Sequence, residues 1–273
     1  MTTTTLTRGW MAMLKRPMLY KQIGFLFFLL VSWQTVSQIF KLDFWISSPV
    51  GVTIAMAKWT SGGVLVSDVK VTLMEAGLGF LIGSLAGGLI GFVLGWVRSL
   101  GELLEPFVLS LYSLPKVALA PLFVLWFGIG PINKIMFAAL MVFFMVFFTT
   151  FQGARQVDQA LVGNARLLGA SNLQIWLRIA LPYSSVWFIS GLRIGMPYAL
   201  IGAIVGEFVA ANEGVGYRIK EATSFFDTGT VFAGLLILMS ISFVLLAVLK
   251  WVERRTLKWQ TADELTQIDK HPS

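Results

Sequence analysis

Glu75, Lys116, Arg193 and Glu207 each stand inside a stretch that is otherwise almost wholly apolar. A charge at the centre of a bilayer costs roughly 2.5–3.5 kcal/mol on insertion scales. Each is therefore a candidate for holding a solute or ion, or for pairing with another buried charge. Little other chemistry is on offer. The chain has no cysteine, and its one histidine, His271, is third from the end. Thiolate nucleophiles, disulfides and cysteine or histidine metal sites are excluded. So is an enzyme built inside the membrane on a histidine–carboxylate constellation. Lys116 and Arg193 are cations and favour an anionic solute, although a structural ion pair accounts for them equally well. Glu75 and Glu207 fall near predicted membrane boundaries, where contact with headgroup water is the alternative to a place on a pathway. Lys116, beside Pro115, either lines a permeation path or bonds to carbonyls that Pro115 and Pro121 leave without donors.

The elements that carry these residues are membrane spans. The chain is 56% hydrophobic and only 13% charged, against about 25% charged in soluble domains, and its mean hydropathy is +0.78. Six spans of about 20 residues or more, enough to cross about 30 Å of hydrocarbon, are predicted at 22–40, 71–97, 105–128, 132–153, 183–210 and 229–251. With the N-terminus inside, thirteen Lys and Arg residues fall on inner segments and six on outer ones, Lys134 and Arg218 among the six. Both termini are thus expected in the cytoplasm. The net charge of +7 belongs to this bias and not to nucleic-acid binding. Three regions follow: a basic segment at 1–21, expected along the inner membrane surface; a transmembrane domain at 22–255; and a cytoplasmic tail at 256–273. The first span is read as uncleaved, since "KLDFWISSP" after it offers no small-residue cleavage site.

Gly79, Gly83, Gly87, Gly91 and Gly95 recur every four residues and form one bare face, which predicts close approach of a second helix. Residues 154–182, between the fourth and fifth spans, read instead as a soluble helix–turn–helix. Asp158 is placed to cap a helix over 159–168, and Gly169 to end it in the left-handed conformation. Ser171 with Gln174 makes a capping box for a second helix, and Pro182 opens the fifth span. Recognition of DNA is rejected, because the element is tethered to the membrane at both ends and offers only Arg155, Arg166 and Arg178 to phosphate. A knob that docks on a cytoplasmic protein remains, with an amphipathic segment resting on lipid as the alternative.

At this point the chain resembles the permease subunits of ABC importers. That family carries E-A-A-x-x-x-G, then nine residues, then I-x-L-P; here Gly169 is followed after nine residues by Ile179-Ala180-Leu181-Pro182. The front departs, with Gly163-Asn164-Ala165 in place of Glu-Ala-Ala. "LPKVALAPLFVLWFGIGP", "GNARLLGASNLQIWLRIALP" and "GEFVAANEGVGYRI" resemble the nitrate, sulfonate and taurine branch, and the likeness covers about 65–255. The resemblance implies an all-α, six-helix type I importer fold in a bacterial inner membrane. It implies a second copy of the permease, two cytoplasmic ATPase subunits and an external binding protein as partners. Contact with the ATPase would fall on Ala165, Arg166, Gly169, Ala170 and Ser171, and the substrate pathway on Lys116, Arg193, Glu207 and Glu75. No G-x-x-x-x-G-K-[ST] loop is present, so ATP and Mg are expected on the ATPase, with no cofactor in this chain. An ion-coupled secondary transporter is the alternative; no internal repeat supports it.

Overall fold

The computed structural model describes residues 17–256, with side chains from 20 to 252. The basic segment before residue 17, the tail after 256 and His271 lie outside the described residues. The described residues are helical, with no strand. In chain order the helices are α1 Pro17–Ile39, α2 Asp43–Ile46, α3 Pro49–Ser61, α4 Leu65–Trp96, α5 Arg98–Ser113, α6 Ala120–Phe127, α7 Pro131–Arg155, α8 Gln159–Leu167, α9 Asn172–Ile175, α10 Leu181–Val209, α11 Val215–Ser224 and α12 Thr228–Thr256. By length and apolar composition α1, α4, α7, α10 and α12 suffice to cross a membrane, and α5 with α6 makes a sixth crossing if counted as one bent span.

α7 is the axis of the bundle. The glycine face of α4 lies directly on it. A Cβ added at Gly87, Gly91 or Gly95 would sit 2.6 Å from the carbonyl oxygen of Phe143, Phe147 or Phe151 respectively. The four-residue repeat on α4 thus matches a four-residue repeat of carbonyls on α7, and the helices run parallel. α10 packs antiparallel on another side of α7, where Gly202 meets Ala138 and Gly206 meets Lys134. With no hydrophobic drive between helices in lipid, this close backbone contact is what holds them together. α1 stays at the edge with most of its side chains exposed, as expected of a helix that faces lipid.

Two expectations need correction. The third span, expected at 105–128 with a break at each of Pro115 and Pro121, starts earlier and breaks once: α5 begins at Arg98, directly after α4, and α5 and α6 meet at 83°. Only Pro115 breaks it. Leu114 is extended, a 3-10 turn follows over Lys116–Leu119, and Pro121 sits in the first turn of α6, where a missing donor is harmless. Nor does the fifth span start afresh at 183. Helix runs from Asn172 to Val209 through a π-helical turn at Trp176–Ala180, in which the Leu181 N–H reaches the Trp176 carbonyl. Pro182 has no N–H for the Arg178 carbonyl, and the helix widens by one residue instead of stopping.

Candidate functional site

Chemistry gathers at the two ends of the bundle. At the end where α4 and α7 begin, Asp68, Thr72 and Glu75 occupy successive turns on the inward face of α4, all fully buried. The loop "ANEGVG" after α10 folds onto them. Gly214 takes φ +111 with its would-be side-chain position filled by the Glu207 carboxylate, so only glycine fits there. The N–H of Gly214 donates to Asp68 Oδ1 at 3.0 Å, that of Val215 to Thr72 Oγ1 at 2.9 Å, and that of Gly216 to Glu207 Oε2 at 2.5 Å. The Thr72 hydroxyl in turn donates to Glu207 Oε1 at 2.7 Å. These amides open α11, so buried anions sit where the helix has unpaired donors and positive dipole. Asp68 Oδ2 also accepts from Trp59 Nε1 at 3.0 Å and from Arg218 Nε at 2.9 Å. Burial works against the Arg218 charge, but its bonds to Asp68 and Glu221 outweigh it and raise its pKa above the ordinary arginine value. Deeper on the same face, Lys134 Nζ lies 2.5 Å from Glu75 Oε1, with 5% and 0% of the two side chains exposed.

Glu75 and Glu207 therefore do not touch headgroup water: both are buried with internal partners. Asp68, Thr72, Lys134 and Arg218 complete the cluster and were not singled out from sequence. The one available signal was the paired glycines of "EGVG" ahead of an amphipathic helix, which calls for carboxylates to meet their amides.

The other two charges lie apart. Lys116 Nζ donates to the Tyr112 carbonyl at 2.8 Å and stands 4.1 Å from the centre of the Tyr112 ring. That carbonyl is one of those left open where α5 ends, so the lysine does what a helix C-terminus favours. Arg193 is exposed near the middle of α10, one turn before Pro197, whose missing N–H would have met the Arg193 carbonyl.

At the opposite end, α8 and α9 form the elbow. Asp158 Oδ1 accepts from the Ala160 N–H at 2.7 Å. Gly169 takes φ +86, the Gly169 N–H bonds the Arg166 carbonyl at 2.9 Å, and the Ala170 N–H bonds the Ala165 carbonyl at 3.0 Å. Both halves of the Ser171–Gln174 capping box are made. Val157, Val162 and Ile175 are buried beneath, with Ala165, Ala170 and Trp96 packed against them. The turn is rigid on its underside and apolar at its tip: Leu167 and Leu168 are 88% and 89% exposed. No group of His, Cys, Asp and Glu suited to a metal ion occurs among the described residues.

A helical bundle with a glycine-packed core, a broken span and a capped elbow beyond one end defines a membrane permease subunit. Residues 79–258 match the family described as binding-protein-dependent transport system inner membrane component, and the chain belongs to that family. It is 35% identical over 227 residues to a probable ABC transporter permease of Haemophilus influenzae, covering 83% of this chain and 92% of the relative. It is 33% identical over 217 residues to the putative aliphatic sulfonates transport permease of Bacillus subtilis, covering 80% and 79%. The fold resembles a subunit of the MetNI methionine ABC transporter in inward-facing form, at TM-score 0.63 and 17% identity, over 72% of this chain and 97% of that one. The chain is thus a multi-pass inner-membrane permease of an ABC importer, a transport component and not a catalytic subunit. The secondary-transporter alternative falls.

Proposed function

We propose that two copies of this chain form a conduit for a small anion, opened from the cytoplasmic side by a partner ATPase that grips the elbow. ATP and Mg bind that partner, and this chain holds no cofactor. The observation that carries the reading is the pair Leu167 and Leu168, 88% and 89% exposed on a turn fixed by caps at both helices. Two bare leucines on a rigid knob have no use in water and suit an apolar groove. Arg166 and Ser171 flank the tip and Ala165, Gly169 and Ala170 shape it. The helix continues from the elbow into α10, so a pull on α9 passes along one element to Arg193. The ATPase drives the switch from inward-open to outward-open only through its different affinity for the two states.

Arg193 and Lys116 are the cations at membrane depth and favour an anion along the path, while Glu75 and Glu207 shape the outer end that receives the binding protein. The Bacillus subtilis relative named for aliphatic sulfonates makes a sulfonate the first solute to try. The test of coupling is Leu168→Asp beside Gly169→Asp, in the importer purified with its ATPase. Both should cut solute-driven uptake roughly tenfold or more, as loss of a central apolar anchor does, while the melting point of the permease stays near that of the unaltered chain. Uptake unchanged in Leu168→Asp would refute the reading.

A further inference from the structure

We propose that the cleft at the root of the elbow is a binding site for a phosphoryl anion, held by Arg98, Arg155 and Arg166. The cleft measures about 130 Å³ and is lined by these three arginines together with Trp96, Gln159 and the ends of α4 and α7. It joins the close of one span (Trp96), the start of the next helix (Arg98), the close of the central span (Arg155) and the elbow helix itself (Gln159 and Arg166). No carboxylate lines it. Arg155 spends Nη1 on Glu105 at 2.6 Å, and its guanidinium stands 4.8 Å from the centre of the Phe151 ring. Among the described residues neither Arg98 nor Arg166 has a carboxylate within ion-pair distance.

Arg98 and Arg166 are exposed and Arg155 half-buried, so three arginines line one small cleft from different helices. An anion between them would offset their mutual repulsion, and the planar fork of arginine matches the oxygens of phosphate. The size selects the ligand further. Pockets that enclose drug-sized molecules span roughly 300–1,000 Å³, so this cleft takes a single headgroup-sized anion and not a nucleotide. Its place at the span ends, beside the interfacial Trp96, favours the phosphate of an anionic lipid over free phosphate, as basic pockets between the inner ends of transmembrane helices do. It shares no lining residue with the cavity at the tip of the elbow, around Leu168 and Gly169. The cleft is therefore a different space from the one at the tip, with Arg166 the one residue of the ATPase-contact set that also reaches it. A bound headgroup would tie α8 to the ends of α4 and α7 and stiffen the lever; that consequence rests on the coupling reading, whereas the binding does not.

The test uses the full-length permease in detergent, with phosphatidylglycerol as probe and native mass spectrometry as readout. Arg98→Gln/Arg166→Gln should weaken retained phosphatidylglycerol roughly tenfold or more, since hydrogen bonds to a charged group are the strong ones, and Arg98→Lys/Arg166→Lys should restore part of it. A second arm follows the melting point with inorganic phosphate. Protection by phosphate that the Gln variant loses, without any lipid effect, supports the same site with a free ligand. Equal lipid retention and equal phosphate protection in unaltered and Gln proteins would overturn the proposal. So would a Gln variant that keeps its lipid but sheds the ATPase, because the arginines would then belong to a protein interface. Leu168→Asp, which addresses coupling alone, should leave lipid retention intact, so the two readings fail separately.

Discussion

Lys134 and Glu75 share one buried face, and neither tolerates being left alone there. Lys134→Met strands a carboxylate with no exposed surface, and breaking such a pair costs about 3–5 kcal/mol. Lys134→Met/Glu75→Gln removes both charges and should recover most of that loss, because two neutral side chains of similar volume need no counterion. Thermal unfolding in detergent tests this, and equal losses in the single and double variants would show that the pair is not coupled. Glu207→Gln probes the neighbouring contact. Its amide NH2 would face a donor on one side, either Thr72 or the Gly216 N–H, at a cost of about 1–3 kcal/mol. Hydrogen exchange at Gly214–Gly216 should quicken in that variant and stay slow at the elbow. Sequence pattern marked Glu75 and Glu207 as unusual but left their partners unread. Lys134 was counted among outer positive charges, Asp68 fell in a predicted loop, and Thr72 stood at the start of the predicted second span with nothing to mark it. What joins them is the path of "ANEGVG" across the top of α4, a tertiary fact with no local period.

The glycine face of α4 was legible because its cause is periodic: five glycines in one register have one simple purpose, and the carbonyls of α7 meet them. The prediction follows from two glycines of the same helix. A Cβ at Gly87 would crowd the Phe143 carbonyl, whereas at Gly77 it meets nothing within 4 Å. Gly87→Ala should lower the melting point and the yield of monodisperse protein. Gly77→Ala should be neutral or stabilise by about 0.5–1 kcal/mol through helix propensity. Equal effects would mean that the stripe is not a packing face. The caps of the elbow were legible for the same reason, since Asp158, Gly169, Ser171 and Gln174 act within a few residues of themselves. The break at Pro115 was legible too, but the harmless place of Pro121 and the π turn at Trp176–Ala180 were not. Proline tells that a bond is missing and leaves open whether the chain kinks, widens or simply starts a helix. In this chain Pro115, Pro182 and Pro121 do each in turn.

At the scale of the whole molecule, Arg193 reports whether α10 lines a watery path. On the single chain it is exposed near the middle of a membrane span. A second permease facing it across a watery path would leave this position open to solvent, whereas protein or lipid over it would not. The distinction can be read chemically, because the chain has no cysteine and a single introduced thiol reports without background. Arg193→Cys, in the assembled importer in vesicles, should react with a small charged thiol reagent. Phe28→Cys, on the exposed and peripheral α1, should react roughly tenfold or more slowly, since the thiolate that attacks does not form in hydrocarbon. If α10 carries the stroke from the elbow, the Arg193→Cys rate should also change when the ATPase is locked with a non-hydrolysable nucleotide, and Leu168→Asp should abolish that change while leaving the resting rate alone. Equal, slow rates at both positions would place Arg193 against protein or lipid and remove it from the path. A rate that ignores nucleotide would separate the arginine from the lever even if the path is right.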